Sequence, residues 1–158
     1  MEWKLCRKKE YEVRLCLAER NRVYNVADAG KVYNHLEDVV ETVREGDCVC
    51  LGTVGEYYLI PRAKLGAYAV DPNAVGTEWT TVRTRPDAGV YFCRPALGKE
   101  ALHTPVGVMH ANRDGVGHGA GDMVVCAAES TEDGYRPLVE DCWVVNGAVF
   151  ADTYEIMA

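Results

Sequence analysis

Serine is almost missing from this chain. Among 158 residues only Ser130 is a serine, and it sits in the polar turn Glu129-Ser130-Thr131-Glu132-Asp133-Gly134. A Ser-His-Asp hydrolase therefore has no placed nucleophile to start from. Long apolar runs are missing too. No stretch approaches the roughly 20 residues that a membrane-spanning helix needs, so no membrane association is expected. Met1-Glu2-Trp3-Lys4 leads into charge rather than an apolar segment. The expectation is a protein without a signal peptide, located in the cytoplasm. Positive charge is in deficit, with 17 Lys and Arg against 24 Asp and Glu and a formal net charge of −7. That balance repels phosphate backbones and argues against a general nucleic-acid binder. Arg7-Lys8-Lys9, with Arg14, Arg20 and Arg22 beyond it, is a local exception that reads as a solvated strand end.

A disulfide framework and a cofactor motif are also absent. The seven cysteines (Cys6, Cys16, Cys48, Cys50, Cys93, Cys126 and Cys142) are odd in number and mostly lie inside apolar or alternating runs. They read as small buried hydrophobes kept reduced. Cys48-Val49-Cys50 has no second pair at zinc-site spacing, so its thiols are assigned to packing. No Gly-Lys-Ser/Thr follows Gly115-Val116-Gly117-His118-Gly119, which excludes a Walker loop. No metal and no cofactor are expected.

What the chain does have is the composition of a folded globular protein, 48% hydrophobic and 26% charged. Its length suits a single compact domain over 1–158. Landmarks recur in order along it. Glu2-Trp3, Arg7-Lys8-Lys9 and the alternating run Tyr11–Cys16 are followed in the middle by Glu78-Trp79, Arg83-Thr84-Arg85 and Val90–Cys93. Thirteen positions separate Trp3 from Cys16, and fourteen separate Trp79 from Cys93. Gly46-Asp47-Cys48-Val49-Cys50 returns as Gly121-Asp122-Met123-Val124-Val125, and Gly55–Pro61 has a looser echo in Gly134–Val139. Ala67-Tyr68 and Thr153-Tyr154 end the two series. The ordered recurrence predicts two pseudo-repeated halves, 1–71 and 77–158, joined at the turn former Asp71-Pro72-Asn73. In each Gly-Asp the glycine serves a tight turn and the carboxylate accepts from the amides that follow, a structural role.

Tyr11, Val13, Leu15 and Leu17 alternate with Glu10, Glu12, Arg14 and Cys16, which predicts a half-buried strand. Ala29, Val32, Tyr33, Leu36, Val39, Val40 and Val43 recur at helical spacing, with Asn25 or Asp28 as cap and Gly46 beyond the end. They predict one amphipathic helix. The stretch 95–120 is rich in glycine and proline and predicts loops and short strands. Cys142–Val145 reads as a strand and Asn146-Gly147 as a type I′ turn, with a short helix or second strand over 148–154. The expected fold is α+β and β-rich: two small β-barrel-like or β-sheet halves and one amphipathic helix.

Gly121-Asp122-Met123-Val124-Val125, Gly134-Tyr135 and Val149-Phe150-Ala151-Asp152-Thr153-Tyr154-Glu155 resemble the ending of the small bacterial and phage proteins called PGDYG proteins. The resemblance spans about the last quarter of the chain, and the first half fits a degenerate copy ending at Tyr68. Ala120 stands where those proteins carry Pro. The family has no assigned activity, so the resemblance implies a bacterial or prophage origin and little chemistry.

Two sets of residues are candidates for function. Tyr57, Tyr58, Tyr135 and Tyr154 stand at matching landmarks, and with Arg62, Lys64 and Arg136 they could line a groove between the halves. His103, His110 and His118 fall in the glycine-rich region with Asp114 and Asp122, at gaps that match no familiar metal spacing. The ligand-binding assignment is Tyr58, Arg62, Tyr135, Arg136, His110 and His118, with no catalytic residue. The expected function is a non-enzymatic binding or interaction protein that recognises a protein partner or a small anionic ligand, and nothing in the chain opposes an oligomer. The rivals are a small hydrolase-like enzyme using the 103–122 loop and a structural subunit of a larger assembly.

Overall fold

Period-two burial recurs along the chain, and the described residues form antiparallel strands with one α-helix. The structure is a computed structural model and describes residues 2–105 and 107–157. In chain order the strands are β1 Lys4–Lys8, β2 Glu12–Leu17, β3 Lys31–Asn34, β4 Val39–Thr42, β5 Cys48–Leu51, β6 Tyr57–Ile60 and β7 Thr80–Arg83. They continue as β8 Tyr91–Pro95, β9 Ala101–Thr104, β10 Gly107–His110, β11 Met123–Thr131 and β12 Gly134–Val145. Helix α1, Gly147–Thr153, and strand β13, Tyr154–Ile156, close the chain, and short 3₁₀ turns occupy Arg62–Ala67 and Pro72–Ala74. No helix among the described residues is long and apolar enough to cross a membrane.

The chain divides into two compact units, one made of Met1–Lys9 with Gly89–Ala158 and the other of Glu10–Ala88. We call them the split unit and the continuous unit. The sequence segments 1–71 and 77–158 each contribute strands to both units. In the continuous unit the sheet order is β6-β5-β2-β7, so β7 from the second half flanks β2. The split unit has the order β12-β11-β8-β1-β13, so β1 from the first half flanks β8. Each unit adds a separate hairpin, β3–β4 in one and β9–β10 in the other.

Strand register aligns the two sheets residue by residue. Leu15 lies opposite Cys50 and Thr80, as Cys93 lies opposite Val125 and Lys4. Leu15 and Cys93 therefore occupy one position, and Cys16 matches Arg94, one place from the pairing the sequence landmarks gave. Cys48 faces Ile60 as Met123 faces Val145. Tyr57 and Tyr58 thus match Cys142 and Trp143. The expected match to Tyr135 fails because the register shifts between Cys126 and Ala127, and Gly134–Glu140 belongs to a long arm beyond that bulge. Tyr68 bridges Thr84 as Tyr154 pairs with Lys8. The amides of Arg85 and Lys9 reach the carbonyls of Ala67 and Thr153 at 2.8 and 2.9 Å.

The core follows the pleat. Val13, Leu15, Cys48, Cys50, Ile60 and Leu65 pack on one face of the continuous sheet, and Cys16, Val32, Val43, Val49 and Leu59 on the other. In the split unit Cys6, Cys93, Val125, Phe150 and Tyr154 gather on the α1 side. Phe92, Val124, Cys126 and Cys142 gather on the opposite face, with Trp3 and Leu102 against them. All seven cysteines are buried and unbridged.

The helix expected from Ala29 to Val43 is the hairpin β3–β4. Val39, Glu41 and Val43 are buried while Val40 is 52% exposed, an alternation that the apolar count alone disguises because one inward residue is a glutamate. Asn34 Oδ1 accepts the Leu36 amide at 3.0 Å, and Asp38 turns the chain at φ 51°. Asn25, expected as a cap, brackets Tyr33 by accepting from its amide and donating to its carbonyl. At the other end Asn146-Gly147 is not a hairpin turn. Asn146 caps α1, accepting from Ala148 and Val149 at 3.1 and 3.2 Å. Gly147 is required by crowding, since a Cβ there would lie 1.9 Å from the His118 carbonyl oxygen.

Glu41 Oε2 accepts the Leu59 amide at 3.3 Å, and burial pushes its carboxyl up to about 7 from 4.5. A carboxyl raised on folding favours the native state most while it is protonated. Stability is full below about 4.5 and is lost as pH rises through 7. Glu41→Gln keeps an acceptor without the charge, so urea melts should show the variant more stable than the parent at pH 8, by up to about 3 kcal/mol, and nearly equal to it at pH 4.

Candidate functional site

A cavity of about 240 Å³ opens in the split unit, lined by Trp3, Arg94, Leu102, Val124, Val139 and Cys142. Strand alternation explains its walls. Arg94 and Phe92 share a face of β8, and Val124 and Cys126 point the same way from β11. Cys142 stands directly opposite Cys126 on β12, and Leu102 from the β9–β10 hairpin covers this face. Val139, 54% exposed, forms the rim.

Arg94 is the unusual wall, because its side chain is only 7% exposed. Glu100 meets it as a fork: Nη1 donates to Oε2 at 2.8 Å and Nη2 to Oε1 at 2.9 Å. Nη1 also donates to the Pro95 carbonyl at 3.1 Å. The hydrogen bond from Arg94 holds the Glu100 carboxyl below its ordinary value. The guanidinium carbon lies 5.2 Å from the Trp3 ring centre, within cation–π range. Arg94 Nε is buried and has no acceptor among the described residues. A buried N–H left in that state costs about 1–3 kcal/mol. The charge of the cavity is thus internally neutralised, while one donor remains unmatched.

Cys142 contributes a thiol rather than a nucleophile. Burial raises its pKa, and its Sγ contacts the His103 carbonyl at 3.5 Å. The neighbouring Cys126 is pushed up to about 11, chiefly by burial. Neither is a thiolate near neutral pH.

The histidine region is organised around Asp122. The Asp122 carboxylate accepts from the amides of Asn112 at 2.8 Å and Gly147 at 3.1 Å, not from the amides that follow it. Its Oδ1 also meets His118 Nδ1 at 2.6 Å, and His118 Nε2 meets the Arg113 carbonyl at 2.6 Å. Both partners are pure acceptors, so only the doubly protonated ring donates to both. The Arg113 carbonyl first, and Asp122 after it, raise the His118 pKa. His103 and His110 occupy the exposed face of β9–β10, opposite Val108 and Ala101. No group of three His, Cys, Asp or Glu among the described residues is arranged to hold a metal ion.

Of the other expected site residues, Tyr58 and Arg62 belong to the continuous unit and Tyr135 and Arg136 to the split unit. Tyr58 on β6 packs against the Val13–Leu15 core, and burial holds its phenol well above the usual range. Arg62 donates to Asn73 Oδ1 at 2.5 Å. Tyr135, 49% exposed, and Arg136, bound to Glu129, lie on the outer arm of β11–β12. Sequence reasoning used Trp3 only as a landmark and passed over Arg94, Glu100 and Leu102. The available signal was a single cation at the end of the apolar run Val90–Cys93.

Compared with known proteins, the chain matches no family model, no curated protein and no solved structure.

A histidine whose pKa rises on folding adds stability that is complete below 6.5 and disappears as pH climbs through the raised value. The melting-temperature gap between parent and His118→Ala should therefore be widest near pH 6 and should close by pH 9. A gap independent of pH would remove the imidazolium from this account.

Proposed function

We propose that this chain is a binding protein without catalysis of its own, and that the cavity of the split unit receives a small ligand. The observation carrying this reading is the cavity itself: a largely apolar pocket on a sheet face, with an indole and an ion-paired guanidinium at its walls. Such a pocket supplies apolar burial for affinity and an aromatic wall for orientation. Arg94 already has its counter-ion, so the cavity favours a neutral occupant over the small anion that composition suggested.

The matching registers of the two sheets support a common origin in one copied half-unit, with the first strands exchanged between the copies. The likeness of the closing segment to the PGDYG proteins belongs to the same reading, and with it a bacterial or prophage origin. The hydrolase alternative draws less support, because both ring nitrogens of His118 are engaged inside its own loop.

Removing Arg94 alone strands Glu100, and Arg94→Met should lower stability by about 3–5 kcal/mol in urea melts, whereas Arg94→Met with Glu100→Leu should stay near the parent. A thermal-shift screen of neutral small molecules on the full chain should give hits with the parent and none with the folded double variant. Hits that survive the double substitution would place the binding site elsewhere.

A further inference from the structure

The two units differ at this cavity in two wall residues, Arg94 at the position of Cys16 and Cys142 at the position of Tyr57, and the second difference removes a ring. Leu51 and Cys126 each stand five positions beyond the glycine of their Gly-Asp turn. Tyr57 lies opposite Leu51, and Cys142 lies opposite Cys126. The tryptophans match as well: Trp79 precedes Thr80, which faces Leu15, and Trp3 precedes Lys4, which faces Cys93. In the continuous unit the half-buried Tyr57 ring packs against the core beside Trp79, edge to face, with centroids 6.1 Å apart. In the split unit the tryptophan is retained and the ring is replaced by a thiol. The hole in the split unit is therefore the place where its counterpart keeps a phenol ring.

The geometry points to a neutral, single-ring aromatic ligand, phenol-like, seated in the cavity with its ring edge-on to Trp3. This assignment rests on the binding reading above and gives it a ligand class. Size agrees: an apolar cavity of about 150 Å³ holds benzene, and about 240 Å³ holds one ring with a small substituent. Edge-to-face pairing adds attraction beyond area burial, and it is available to an aromatic ring but not to a saturated one. The Arg94–Glu100 pair leaves no net charge to attract a carboxylate, so an aromatic anion such as benzoate gains nothing over phenol and loses its hydration.

The test is a titration of the full chain with phenol, cyclohexanol and benzoate, followed by backbone amide shifts in NMR. Phenol should shift Trp3, Leu102 and Val124 and bind about tenfold more tightly than either control. Cys142→Tyr should fill the hole from within, raise the melting temperature and weaken phenol at least about tenfold, while Cys142→Ala should still bind it. Trp3→Leu, an independent variant should the tyrosine not fit, should erase the preference for phenol over cyclohexanol. Equal binding of phenol and cyclohexanol, tighter binding of benzoate, or a folded Cys142→Tyr that binds phenol like the parent would each overturn the ligand class. If phenol fails while other neutral compounds bind in an Arg94-dependent way, the class is wrong and the binding site stands. If no compound binds, both readings fall.

Discussion

The Asp122 carboxylate is the tie on which the split unit depends. It is 3% exposed and ties the Asn112 amide and the His118 ring, both in the loop just before it, to the Gly147 amide at the start of α1. A buried carboxylate without such donors would be strongly destabilising, and with them it fixes where β11 begins and where α1 starts. Gly147 shows how closely these segments approach, because no side chain fits between them. Asp47 is the corresponding group in the continuous unit, where its Oδ2 accepts the Arg44 amide at 2.8 Å.

With the sheet position set, the hairpins complete it in matching ways that use different chemistry. Glu41 of β4 accepts the Leu59 amide, and Met109 of β10 offers its sulfur to the Val144 amide at 3.5 Å. Leu59 and Val144 hold the same register position, opposite Val49 and Val124. One unit thus buries a titratable carboxyl where the other buries a thioether, so only the continuous unit carries a pH response at this place. The cavity shows a similar contrast. Where the continuous unit has Cys16 and Tyr57, the split unit has Arg94 and Cys142, with an opening beside a paired charge.

Edge pairing explains why strands distant in sequence share a sheet. Without β1, strand β8 would present an unpaired edge, and β2 would do so without β7.

Local pattern determined much of this protein. Alternation at Val13 and Leu15, the glycines of the Gly-Asp turns and a strand-rich fold were legible as sequence, but the Asp122 carboxylate serves the Asn112 and Gly147 amides rather than those that follow it. Register, hairpin direction and the pocket were decided only by tertiary structure. Val39, Val40 and Val43 have helical spacing until Glu41 turns inward, and no local signal announces that a carboxylate will be buried to meet the Leu59 amide. Tyr135 looks like a partner for Tyr57 until the bulge after Cys126 moves it onto an outer arm. Arg94 reads as an ordinary strand-end cation until Glu100 folds back to meet it and Trp3, ninety residues earlier, closes over both. Pairing across such separations is set by which surfaces find complementary partners, and a one-dimensional pattern carries no record of that choice.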